Sequence, residues 1–340
     1  MPIRVLVVDD SVMFRTKLQL SLGKDPELKV VGCAVDAADA MKRIEELKPD
    51  VVTLDVEIPK QNGIDFLKEL IPVKPIPVVV VSSLPINALE AMDAGAVDFV
   101  KKPGTDPNAL NLFLEELNTK IKVASKAKVR RFTTASHSLT ARPSTRMLNP
   151  DRNMVIAIGA STGGTEAILE VVKDLPTTTP GIVIVQHMPA TFTALYAQRL
   201  DKICHMRVKE AQNFDRVTPG QIIIGAGNFH LTLKRDSAGY YVHSLPGEKV
   251  SGHCPSVDVL FESVAETAGA KAIGVILTGM GSDGARGITK MRQRGAYTIG
   301  QDRDSCVVYG MPMEAYKLGG IIRQFPLNKI GDEIVYNLNK

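Results

Sequence analysis

Two rhythms of apolar residues alternate along this chain. Short β-branched runs are separated by longer stretches in which apolar positions recur every three or four residues. The runs Ile3–Val8, Leu28–Ala34, Val51–Leu54, Val78–Val81 and Val97–Val100 predict strands buried on both faces. Helical spacing predicts helices over Val12–Leu22, with Ser11 as N-cap, and over Ala37–Leu47, Gly63–Leu70, Asn87–Ala94 and Pro107–Ile121. This strand–helix alternation, five times over, predicts a parallel sheet wrapped by helices.

From about Lys122 to Asn153 the periodicity stops, and the text becomes polar, basic and rich in Ser and Thr; a flexible tether is expected there. The alternation then restarts. Strands are predicted at Met154–Ile158, Ile182–Val185, Ile222–Ile224, Ile273–Leu277 and Ala296–Ile299. Helices are predicted at Gly164–Lys173, Phe192–Leu200, Val257–Ala268, Ala285–Arg294 and Leu327–Leu338. Leu231–Lys234 and Tyr240–Ser244 predict a hairpin across Ser237-Ala238-Gly239. The expected fold class is therefore α/β, with two doubly wound parallel-sheet domains, the second carrying an antiparallel hairpin. The expected boundaries are 1–121, a linker 122–153, and 154–340.

The length of 340 residues supports two cores of normal size. A net charge of +4 is too mild to suggest nucleic acid, and its excess sits in Lys120–Arg146, which has no acidic residue. The four cysteines, Cys33, Cys204, Cys254 and Cys306, have no metal-like spacing and read as idle thiols in a reducing compartment. The start MPIRVLVVDD is not expected to be a signal peptide, since two Asp end its apolar run, and no run is long enough to span a membrane. A cytoplasmic protein is expected.

Asp9 and Asp10 close the first strand and Asp55 the third, so three carboxylates should converge beyond the carboxyl ends of one parallel sheet. Crowded carboxylates repel unless a cation sits among them, and hard oxygen donors favour Mg²⁺. Ser82, after the fourth strand, can donate a hydrogen bond there, and Lys102, after the fifth, can supply positive charge. The stretches VLVVDDS, VVTLDVEIPKQNGIDFL, VVVVSS and DFVKKP resemble those of two-component receiver domains, which are flavodoxin-like. The resemblance implies that Asp55 accepts a phosphoryl group from a histidine kinase. It implies a Mg²⁺ site of Asp10, Asp55 and the Glu57 carbonyl, assisted by Asp9. It also implies phosphoryl contacts from Ser82 and Lys102, with Phe99 as the switch aromatic. The family's D-x-x-M-P reads Asp55-Val56-Glu57-Ile58-Pro59 here, a mild departure.

Gly159-Ala160-Ser161-Thr162-Gly163 fits G-x-S-x-G, a strand-to-helix turn that can present a nucleophilic Ser. It can equally be a glycine-rich helix start. His187 follows the strand Ile182–Val185, and Asp283 lies in TGMGSDGARG after Ile273–Leu277. Parallel strands end at one edge, so the three residues form a triad by topology, in the order Ser–His–Asp. That order is not the one of α/β-hydrolases. Glycines around Met280 let that loop turn an N–H toward an oxyanion.

The stretches IGASTGGTEA, VIVQHMPATFTALYAQRLD, PGQIIIGAGNFHLTL, HCPSVDVLFESVAE, GVILTGMGSDGARGI and QDRDSCVVYGMPMEAYKLGG resemble the catalytic domain of chemotaxis protein-glutamate methylesterases, the CheB family, across Ile158–Gly320. Cys254 stands where many members carry Arg. The resemblance implies a Rossmann-like methylesterase domain that hydrolyses γ-glutamyl methyl esters of chemoreceptors, releasing methanol; some members also deamidate receptor glutamines. It implies Ser161 as nucleophile, His187 as base, Asp283 as orienter, the Met280 N–H as oxyanion donor and Thr162 as a positioning residue. No cofactor is expected for the hydrolysis. The expected partners are chemoreceptors and the chemotaxis histidine kinase, with no nucleic acid and no membrane contact except through receptors. A monomer is expected. The family further implies that the unphosphorylated receiver covers the hydrolase mouth. A DNA-binding output is disfavoured because the second half is β-α alternating. A dinucleotide oxidoreductase is disfavoured because the second strand of that half ends at Gln186-His187 without an acid.

Overall fold

A computed structural model describes residues 1–104, 107–129, 151 and 153–340. The chain forms two compact units. The first runs β1 (Ile3–Val8), α1 (Val12–Leu22), β2 (Leu28–Ala34), α2 (Ala37–Leu47), β3 (Val51–Asp55), α3 (Gly63–Val73), β4 (Val78–Ser82), α4 (Pro85–Asp93), β5 (Asp98–Lys101) and α5 (Pro107–Ala124). Its five strands are all parallel, in the order β2-β1-β3-β4-β5. Every residue of β3 and β4 is buried, as their unbroken apolar text demands.

The last helix runs one turn beyond the expected Ile121. Val123 and Ala124 are buried, and Lys122 pairs with Asp25 at 2.8 Å and with Glu27. Most of the expected linker lies outside the described residues.

The second unit runs β6 (Val155–Ala160), α6 (Gly164–Val172), β7 (Ile182–Gln186), α7 (Ala190–Ile203), β8 (Arg207–Glu210), β9 (Gln221–Ile224), β10 (Phe229–Asp236) and β11 (Gly239–Pro246). It continues with α8 (Val257–Thr267), a short 3-10 turn at Gly269–Lys271, β12 (Ala272–Ile276), α9 (Ala285–Gln293), β13 (Tyr297–Gln301), α10 (Met311–Lys317), β14 (Arg323–Phe325) and α11 (Leu327–Leu338). Seven strands make one sheet, β14-β13-β12-β6-β7-β9-β8, parallel at every pairing. The predicted hairpin is β10-β11, a separate two-stranded sheet. Three elements escaped the sequence pattern: β8, α10 and β14. The two strands are the short, polar outer edges of the sheet, where no apolar run is needed.

The core of this unit joins one face of the sheet, α8, α9 and the hairpin through Val155, Val183, Leu231, Val242, Phe261 and Met291. Phe261 is fully buried, and its ring and Cβ fill the space left by two residues without side chains, Gly159 and Gly287. We expect Phe261→Ala to cost about 3–5 kcal/mol, read in denaturant melts as destabilisation of the second unit alone. A loss below about 1 kcal/mol would show that the site collapses around the gap.

Candidate active site

β6 lies between β7 and β12, so the loops that follow these three strands share one edge. Ser161 opens the loop after β6. Its N–H donates to Thr278 O (3.0 Å), and its carbonyl accepts from Gly164 N–H (2.7 Å) and from Gln186 Nε2 (2.9 Å). The same Gln186 amide donates to His187 O (3.3 Å), clamping the Ser161 and His187 backbones together. Gly164 must be glycine: a Cβ there would lie 2.0 Å from Gln186 Oε1. Gly279 must be glycine too, because its Cβ would come within 2.8 Å of Ser161 Cβ. Thr162 O accepts from Thr278 Oγ1 (3.1 Å), tying the turn to the end of β12.

Asp283 is buried at the N-terminus of α8. Its Oδ1 accepts from Ser256 Oγ (2.7 Å) and Asp258 N–H (3.0 Å). Its Oδ2 accepts from Val257 N–H (2.7 Å) and His187 Nε2 (2.8 Å). Burial pushes this carboxyl up, but the bond and charge of His187 and the donors from Asp258 and Ser256 outweigh it and hold it below the usual range. The helix N-terminus adds its own positive dipole end. Asp283 therefore stays ionised.

An ionised carboxylate only accepts, so His187 Nε2 carries a proton, and in the neutral imidazole the lone pair is then on Nδ1. That Nδ1 is buried and meets no hydrogen-bond partner among the described residues. The structure thus brings His187 and Asp283 into contact and sets Ser161 on the neighbouring loop. The bond from Ser161 Oγ to Nδ1 is not formed here, as is common before substrate binds. Met280 N–H makes no hydrogen bond with a described residue either, and Gly281 beside it takes a left-handed φ of 82°.

His253 completes the cluster: its ring stacks on His187 with centroids 3.6 Å apart and planes 5° from parallel. Burial first, then the neighbouring His187, pull it down to about 4, against the opposing pull of Asp283 and the Ser251 carbonyl. Atoms of His187, His253 and Asp283 lie within 4.8 Å of one another, a spacing a metal ion can span. The stacked rings argue against that use, since their lone pairs lie in parallel planes and cannot meet at one ion.

In the first unit, Asp9, Asp10 and Asp55 bring carboxylate oxygens within 4.8 Å of one another at the sheet edge. Asp9 and Asp55 are buried and Asp10 is exposed. Lys102 Nζ sits 2.8 Å from Asp9 and 2.5 Å from Asp55. Burial raises Asp55 to about 6 and Asp9 adds repulsion, although Lys102 pulls the other way. One ammonium is thus too little charge for this cluster, and its hard oxygen donors suit a divalent cation. Glu57 N–H donates to Asp55 Oδ1 (3.2 Å). Ser82 Oγ, at the end of β4, is engaged with the Leu84 backbone at 3.1 and 3.2 Å. Phe99 is buried on β5 with the Lys120 ammonium 5.1 Å from its ring centre.

Two family profiles match this chain: "CheB methylesterase" over residues 156–334 and "Response regulator receiver domain" over residues 5–114. The chain belongs to the CheB methylesterase family. A protein-glutamate methylesterase/protein-glutamine glutaminase 2 of Syntrophomonas wolfei is 52% identical over 339 residues, 99% of this chain and 98% of that protein. One of Caulobacter vibrioides is 47% identical, over 98% of this chain and 97% of its own length. The CheB methylesterase catalytic domain of Thermotoga maritima, a solved structure, matches with a TM-score of 0.54 and 36% identity, covering 55% of this chain and all of that one. No helix among the described residues is long and apolar enough to cross a membrane.

Sequence reasoning missed four residues of this CheB site: Gln186, Ser256, Asp258 and His253. Ser256 caps the start of α8, accepting from Val259 N–H, and its hydroxyl also donates to Asp283. Asp258 accepts from Gly287 N–H (2.8 Å) and so locks the start of α8 to that of α9.

Opposite pH responses follow for the two units. Between pH 6.5 and about 4 the unfolded chain binds a proton that folded His253 refuses, so His253 withdraws stability as pH falls. Between pH 3.8 and about 6 folded Asp55 keeps a proton that the unfolded chain releases, so Asp55 withdraws stability as pH rises. In metal-free thermal scans, His253→Phe should flatten the acid loss of the second unit. Asp55→Asn should raise the receiver transition at pH 7 more than at pH 4. Parallel curves for variant and wild type would refute each assignment.

Proposed function

We propose that Ser161, His187 and Asp283 carry out the reaction of this hydrolase, cleaving γ-glutamyl methyl esters on chemoreceptors and amides of receptor glutamines. The observation that carries this reading is the His187–Asp283 bond through Nε2, which leaves Nδ1 as the other ring nitrogen, while the His187 N–H donates to Ala160 O (3.2 Å), next to Ser161 in the chain.

His187 Nδ1 takes the Ser161 proton as Oγ attacks the acyl carbon. Asp283 compensates the imidazolium that forms, and its four donors keep it from taking the proton itself. The Met280 N–H donates to the oxyanion, a contact worth about 3–4 kcal/mol in the transition state. The imidazolium protonates the departing methoxide, and methanol leaves. Water, deprotonated by His187, then cleaves the acyl-enzyme and releases glutamate and Ser161. With glutamine the same steps release ammonia. Thr162 holds the turn through Thr278.

The receiver regulates this hydrolase through phosphorylation, with Asp55 as acceptor and the chemotaxis histidine kinase as donor. Asp9, Asp10, Asp55 and the Glu57 carbonyl would hold Mg²⁺, which supplies charge neutralisation for phosphoryl transfer. Lys102 already contacts Asp55 and can reach a phosphoryl oxygen there. Ser82 would exchange its Leu84 bonds for the phosphoryl group, and Phe99 would move with β5. The protein acts as a monomer in the cytoplasm and meets the membrane only through its receptors.

Two outcomes test this. Ser161→Ala should lose about 10⁴-fold or more in kcat in a methanol-release assay on methylated receptor; retention of a tenth of the wild-type rate would overturn the triad. Asp55→Asn should keep the basal rate and lose activation by a small phosphodonor. Equal stimulation of variant and wild type would refute the acceptor.

A further inference from the structure

We propose that His253 is a positioning residue for the general base, a wall that fixes the plane of the His187 ring. This rests on the triad reading above. The bond to Asp283 fixes only one nitrogen of His187, because a single hydrogen bond is an axis about which the ring can still tilt. Tilt moves Nδ1, the atom that must meet Ser161 Oγ. A flat ring 3.6 Å away and within 5° of parallel blocks that tilt on one face.

His253 is itself braced. Val250 and His253 exchange backbone hydrogen bonds of 3.0 Å in both directions, closing a tight turn through Ser251 and Gly252. Both central residues take left-handed φ, 53° and 83°, as two-residue hairpin turns of this hand require. The ring Nδ1 donates to Ser251 O at 2.9 Å, which fixes the orientation of the imidazole. Just beyond, Ser256 N–H donates to His230 Nδ1 (3.3 Å), and His230 Nε2 donates to Glu248 O (2.8 Å). One segment therefore delivers both the stacked ring and the Ser256 hydroxyl that holds Asp283.

Charge supports the role. The charged or titratable groups acting on His253 are His187, Asp283 and Lys249, and burial keeps the ring neutral near pH 7. A neutral wall does not oppose the positive charge that His187 gains during the reaction.

The test measures kcat and KM for methanol release from methylated receptor with full-length His253→Ala, His253→Phe and Ser161→Ala. We expect His253→Ala to lower kcat roughly 10–100-fold with KM changed less than about 3-fold, as misplacement of a reacting group does. His253→Phe, which keeps the stack and removes both nitrogens, should restore kcat to within about 3-fold of wild type. A near-wild-type kcat in His253→Ala would overturn the inference, as would a loss confined to KM. A His253→Phe variant with wild-type melting and a kcat as low as that of the Ala variant would also overturn it, because the ring nitrogens would then be what matters. If His253→Ala does not fold, a His253→Phe variant with wild-type melting and a kcat more than about 10-fold below wild type overturns the inference. Retention of a tenth of the wild-type rate in Ser161→Ala would instead refute the triad, so the two failures are distinct.

Discussion

The catalytic unit is organised around one buried negative charge. An uncompensated carboxylate in a protein interior costs several kcal/mol, more than most single contacts return. Asp283 meets that cost with donors from three directions: the first turn of α8, the Ser256 hydroxyl and the His187 ring. Each donor is thereby fixed in place. The start of α8 is held against the loop after β12, and that loop against the loop after β7. The carboxylate is thus a structural centre first, and the catalytic use proposed for it follows from that. A group held this firmly as an anion can orient a base without taking its proton.

The receiver handles the same problem in the opposite way. Asp9 and Asp55 are as buried as Asp283, yet they share one ammonium and repel each other. Asp9 accepts from the N–H of Ser11, the N-cap of α1 (2.9 Å), and Asp55 from that of Glu57 (3.2 Å), and the carboxyl of Asp55 still stays high. An undercompensated cluster is poised to accept more positive charge and to respond when its own charge changes. One chain therefore contains a carboxylate saturated with donors, suited to steady orientation, and a carboxylate pair short of them, suited to switching.

How much of this was legible in the sequence depends on what kind of interaction writes it. Strands buried on both faces must be continuously apolar, so β1, β3, β4, β6, β7 and β12 stood out. Their ends placed Asp9, Asp55, Ser161 and His187 at sheet edges before any coordinates. The edge strands β8 (Arg207–Glu210) and β14 (Arg323–Phe325) carry no such demand and left no pattern. The supporting residues were hidden for a different reason. Gln186 clamps two backbones, Ser256 divides one hydroxyl between a helix cap and Asp283, and His253 stacks through a turn 66 positions beyond His187. Each role depends on a partner far along the chain, and periodicity reports only neighbours.

Topology explains how the proposed order Ser–His–Asp can work although other hydrolases use other orders. Ser161, the proposed nucleophile, follows β6, the middle of three adjacent parallel strands, while His187 and Asp283, the proposed base and its partner, follow β7 and β12 on either side. Strands beside a common neighbour are about 10 Å apart, too far for a direct bond between residues at their tips. The acid is therefore not at the tip of β12. It comes seven residues after Ile276, on a loop that turns through left-handed Gly281 and Gly284 and carries Asp283 back toward β7. The N-terminus of α8 meets it there and supplies the donors that keep it charged. Any chain order that puts the nucleophile on the central strand and the acid on a returning loop meets the same geometric requirement. The proposed triad is a property of strand positions in the sheet, and the sequence order records only the path by which the chain visits them.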